Sequence, residues 1–202
     1  MRMDRRSDSG FTLVELFAVL ALMACGTAVA VMLTQGVSKL AKADSGSKQV
    51  MAVLRGAREE AISRRRNIKV AFDITNSKMN VSRVDYTWSS GVVTGSTDTL
   101  EKSVSLDGGV KFLKFSAITA YPISSFPTSS VAVTFTAVSS VPTVVFTPEG
   151  DAQDPVTGVA TDGTIFLGRT NEQDTARAVT LTGTTSLLER WQYNQTAWVT
   201  AR

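Results

Sequence analysis

The sequence predicts an α+β protein: one long N-terminal helix, with a transmembrane half and an amphipathic half, packed on an antiparallel β-sheet head. Three observations carry that reading. Phe11 to Leu33 is an apolar run of 23 residues whose only ionisable side chains are Glu15 and Cys25. Beyond it, Val50, Val53, Leu54, Ala57, Ala61 and Ile62 recur at helical spacing, a stripe that needs a core to face. After Arg66 the period changes to alternation, and short apolar runs separated by Ser, Thr, Gly and Asp continue to the C-terminus. One helix followed by many strands is an α+β order.

As a helix the apolar run would reach about 35 Å, enough for the hydrocarbon layer of a bilayer. Before it lies the polar segment Met1–Gly10, which carries Arg2, Arg5 and Arg6. Such arginines stay cytoplasmic and place the rest of the chain outside. A cleaved secretory signal fits poorly, because the break in composition, at Gly10-Phe11, precedes the apolar run instead of following it. Composition alone leaves a plain signal-anchor helix open. Glu15 is the unusual residue, since a carboxylate costs about 2.5 kcal/mol near the bilayer centre and less at its edge. Two readings stay open for it: solvation at the interface, or pairing with a cation of a neighbouring subunit. Cleavage after Gly10 would make the α-amino group of Phe11 such a cation.

In the arm, Ser45-Gly46-Ser47 lowers helix propensity and is expected to bend or melt the helix locally. From Lys39 to Lys69 there are nine Lys or Arg against three acids, and the stretch ends in Arg64-Arg65-Arg66. Three readings compete for that cluster: a solvated helix end complementing the dipole, contacts to acidic heads of neighbouring subunits, and phosphate binding without sequence readout.

Strands are expected over 67–74 and 78–86, joined by an Asn76-Ser77 turn. Others are expected over 110–115, 131–136, 143–146, 164–167, 178–181, 187–193 and 197–200. Pro122, Pro127, Pro142, Pro148 and Pro155 fall between or at the ends of these runs, where a missing donor is tolerated. Residues 87–142 read as a Ser/Thr-rich insertion, exposed and mobile.

Several chemistries are excluded. The chain has no histidine and one cysteine, which removes Ser-His-Asp and Cys-His catalysis, histidine metal sites and an intrachain disulfide. No Gly-rich phosphate loop or nucleophile motif is present. Asp151, Asp154 and Asp162 lack the spacing of a calcium loop and read as a solvated turn. Trp191, Tyr193 and Trp198 read as packing of the last hairpin. Neither an enzyme, a cofactor nor a metal is expected.

Gly10-Phe11-Thr12-Leu13-Val14-Glu15 followed by an apolar helix resembles the class III signal of type IV pilins and type II secretion pseudopilins. Met51-Ala-Val-Leu-Arg55-Gly-Ala-Arg58-Glu59-Glu60-Ala-Ile-Ser-Arg64-Arg65 is similar to the arm helix of GspH/FimT-like minor pseudopilins, and Phe146-Thr-Pro-Glu-Gly150 to a strand end of their heads. The resemblance implies a leader over 1–10, a transmembrane helix over 11–35, a helical arm over 36–66 and a periplasmic head over 67–202. It implies that a prepilin peptidase cuts between Gly10 and Phe11 and methylates Phe11, and that Glu15 serves assembly with other pilins or pseudopilins. The chain would be a single-pass protein of the bacterial inner membrane before entering a type II secretion pseudopilus. Arg64, Arg65 and Arg66 are the candidate anion or partner contacts. The alternative is a FimT-like minor pilin that binds DNA. It is not favoured: Gly183-Thr-Thr-Ser186 lacks the arginines of the Gly-Arg-x-Arg motif of DNA-binding relatives. From Val70 onward the chain also has nine basic and twelve acidic residues.

Overall fold

A computed structural model describes residues 12–89 and 92–201, with side chains outside 28–37 and 86–95. The chain divides into two compact units, Met1–Lys39 and Leu40–Arg202. Helix α1 spans Leu13–Arg64 without interruption. Over 13–27 its side chains are exposed, among them Leu13, Val14, Leu16, Phe17, Leu22 and Met23. Among the described residues no helix is long and apolar enough to cross a membrane. The run Phe11–Leu33 extends past the side chains described.

In the second unit α1 buries Ala43, Val50, Leu54, Ala57 and Ala61. The expected break at Ser45-Gly46-Ser47 does not occur. Ser47 is fully buried, and its hydroxyl donates to the Asp44 carbonyl at 2.9 Å. An added Cβ on Gly46 would stand 2.9 Å from Val110 Cγ1. Glycine is there to let Val110 against the helix, and this packing outweighs the propensity cost.

Two antiparallel sheets follow. The first orders β3 (Val92–Ser105), β2 (Lys78–Ser89), β1 (Asn67–Asp73), β6 (Val141–Phe146) and β5 (Ala137–Val138), with β7 (Ala152–Gln153) also pairing with β6. The second orders β11 (Trp198–Thr200), β10 (Leu188–Tyr193), β9 (Glu172–Leu181), β8 (Gly163–Arg169) and β4 (Lys111–Phe112). In β1 every second residue is buried, so Ile68, Val70 and Phe72 turn inward, as the alternation requires. One core cluster joins α1 residues to side chains of both sheets.

Residues 87–142 are exposed only in part. β3 pairs with β2 from Lys78↔Ser105 outward, and Val110, Phe112, Ile118, Phe126, Val133 and Phe135 are buried. Phe72 meets Phe112 edge-on at 5.7 Å and stacks on Phe135 at 5.8 Å. The strand expected over 131–136 reduces to a single bridge, Val133↔Ile165. That bridge and β4 close the free edge of β8. Gly163 and Gly168 bracket β8, and a Cβ on either would run into the ring of Phe135 or Phe115 at 2.1 and 2.4 Å. These large rings supply the burial that the polar composition of the segment conceals.

Candidate functional site

Of the residues expected to direct processing and assembly, Gly10 and Phe11 lie outside the described residues. Glu15 stands in the first turn of α1. Its backbone N–H donates to the Thr12 hydroxyl at 3.3 Å, so Thr12 caps the helix with the glutamate three residues on, the spacing of a capping box. Glu15 is exposed and makes no ion pair among the described residues.

The arginine triplet is largely occupied within the chain. Arg64 meets Glu60 at 2.9 Å and Glu101 at 3.0 Å. Burial pushes the Glu60 carboxyl above its ordinary value, the neighbouring Glu101 adds to this, and Arg64 and Lys102 oppose it. Arg66 meets Asp85 at 2.9 Å, which also receives Arg83 at 2.9 Å. Lys69 pairs with Asp98. Arg65 has a left-handed backbone, φ 51°. Its N–H donates to Ile62 O at 3.4 Å, and Arg66 N–H donates to Ala61 O at 3.1 Å. This is the hydrogen-bond pattern of a Schellman cap. The triplet therefore ends the helix and fastens it to β2 and β3, and it offers no aligned row of free cations.

Of the three carboxylates expected in a solvated turn, Asp154 and Asp162 instead fasten the fold. Asp154 is buried. Its Oδ1 accepts from the N–H groups of Val156 and Thr157 at 2.8 and 2.9 Å, and its Oδ2 accepts from the Thr136 hydroxyl. Burial raises its pKa, but these hydrogen bonds outweigh that and hold the carboxyl below its ordinary value. Asp162 accepts from Gly183 N–H at 2.8 Å. No group of three metal-ligating side chains converges among the described residues. Trp191 donates to Thr180 at 2.9 Å and Trp198 to the Ala120 carbonyl at 2.9 Å. Tyr193 lies against Trp198 at 5.4 Å, so the aromatic group packs the last hairpin.

One feature was not legible in advance. An open groove of ≈ 250 Å³ lies between α1, through Arg55, Arg58 and Glu59, and the loop Thr185–Leu188. Arg58 Nε donates to the Gly150 carbonyl at 3.1 Å, and the same oxygen accepts from Ser186 Oγ at 2.6 Å. The arm and the Phe146–Gly150 turn, separate in sequence, thus meet at one carbonyl. The i, i+3 spacing of Arg55 and Arg58 was the available signal, but nothing in the sequence indicates which loop faces them.

Residues 47–185 match the family model described as Type II transport protein GspH. The chain belongs to the GspH family. It is a minor pilin or pseudopilin, a structural subunit of the cell envelope that assembles with others of its kind, and not an enzyme. The GspH match takes in the buried half of α1, β1 to β9 and most of the groove. It begins well after Glu15 and stops before β10. Similar solved structures include the type IV minor pilin FimU of Pseudomonas aeruginosa, 15% identical over 77% of this chain and 91% of that one, TM-score 0.43. Another is the minor pseudopilin EpsH from the type 2 secretion system of Vibrio cholerae, 12% identical over 75% of this chain and 97% of that one, TM-score 0.46. No curated relative matches.

Proposed function

We propose that the chain is a minor pseudopilin of a type II secretion pseudopilus, anchored in the inner membrane with its head in the periplasm. A prepilin peptidase cuts it after Gly10 and methylates Phe11. The apolar half of α1 then packs among sister helices. Glu15 neutralises the Phe11 amino group of an adjacent subunit, because an unpaired carboxylate in a dry bundle is costly and a paired one sets register. The observation that carries this reading is the match to the type II transport family over 47–185, on a chain whose exposed apolar residues Leu13–Met23 surround one acid. An intact mass of the protein isolated from its host tests it: loss of ten residues with gain of one methyl group is expected. A chain that still begins at Met1, or begins beyond Leu33, overturns it. Glu15→Ala is expected to leave cleavage intact and to impair assembly; unchanged assembly removes the pairing.

A further inference from the structure

Several cations of the head are spent within the chain. Arg64, Arg66, Lys69, Arg83, Arg169 and Arg177 each face a carboxylate of this chain. Arg55 and Arg58 make no ion pair among the described residues, and both line the groove against Thr185–Leu188. Arg58 is held by its Nε alone, which leaves its terminal nitrogens as donors. Ser186 keeps the loop in place with its side-chain bond to Gly150 and a left-handed backbone, φ 49°. Next to it Leu187 is 55% exposed.

We infer that this groove binds an extended acidic segment of a sister subunit, its carboxylates on Arg55 and Arg58 and an apolar side chain on Leu187. Paired guanidinium groups suit carboxylates in a forked geometry. A phosphate backbone suits the groove less, because the exposed Leu187 offers such a ligand nothing. The inference rests on the filament reading, which names the source of the segment.

The test uses the full chain in detergent micelles and fluorescein-labelled peptides read by polarisation. The peptide Gly-Asp-Leu-Glu-Gly is expected to bind, and its amide counterpart Gly-Asn-Leu-Gln-Gly to bind at least about tenfold more weakly. Arg55→Ala is expected to weaken the acidic peptide by about fivefold or more with thermal unfolding unchanged, since Arg55 is exposed and carries no bond of the fold. Arg55→Glu is expected to lose the acidic peptide and to gain Gly-Lys-Leu-Lys-Gly. Absence of binding, equal binding of both peptides, or binding of a labelled DNA duplex alone that Arg55→Ala removes overturns the inference. A chain that is trimmed and methylated yet binds no acidic peptide overturns the groove and leaves the filament reading standing. An untrimmed chain that binds removes a sister subunit as the source.

Discussion

Arg65 occupies a position where helices ordinarily place glycine. A left-handed non-glycine residue costs about 1 kcal/mol, relieved when the Cβ is removed, and the Arg65 backbone has φ 51°. Arg65→Gly is therefore expected to raise the unfolding free energy of the head by about 0.5–1 kcal/mol in a denaturant titration; a decrease would mean its side chain has a contact that outweighs the strain. Two helical glycines make a matched pair. An added Cβ on Gly56 meets nothing within 4 Å, while one on Gly46 strikes Val110 at 2.9 Å. Gly56→Ala should stabilise by up to about 1 kcal/mol through helix propensity. Gly46→Ala gains the same propensity but must push a buried valine, at about 1–3 kcal/mol, and is expected to destabilise.

At the level of elements, one ion pair fastens α1 to the second sheet. Arg177 on β9 is 1% exposed, and its Nε reaches Asp44 on α1 at 2.6 Å. Its Nη1 donates to the carbonyls of Asp174 and Ala176. Asp44→Ala leaves a buried guanidinium without its counter-ion. The full penalty of about 3–5 kcal/mol for such a loss is reduced here because Asp44 is partly exposed, so about 2–3 kcal/mol is expected in calorimetry or denaturant unfolding. The Asp154 turn gives a pH signature. Its carboxyl is held below its ordinary value, so the folded state favours the ionised form. That stability is complete above the unfolded pKa and is lost as pH falls through the lower folded one. Asp154→Asn is expected to lose stability at neutral pH and to show a smaller decline below about pH 4 than the parent.

For the whole molecule, the distribution of charge decides more than its total. Arg64 and Arg66 at the helix end are ion-paired to Glu60, Glu101 and Asp85, so duplex DNA meets few aligned cations. A gel shift of the full chain across a salt series is expected to show no retention beyond weak, nonspecific binding at the lowest salt. Retention that persists and falls steeply with salt would favour a DNA-binding pilin. The two units also divide the labour expected of a filament subunit: apolar side chains dominate the described surface of the first, while the second closes its own core across two sheets.

Helix α1, the inward face of β1 and most strands of the second sheet were legible from the sequence, because apolar periodicity is a local property that survives without knowledge of partners. Glu15 stood out for the same reason, as one acid in an apolar run. The core role of 110–135 was hidden. Its Phe and Val side chains are spaced irregularly among Ser and Thr, and they are buried only because β8 offers an open edge and Gly163 and Gly168 leave room for rings. Three readings stayed open for the arginine triplet, since two of the carboxylates that face it, Asp85 and Glu101, come from strands about 20 to 40 residues away. Sequence by itself determined the long helix, the inward face of β1 and most of the second sheet. Only the tertiary structure decided which charges neutralise each other, because that depends on what long-range packing places across the gap.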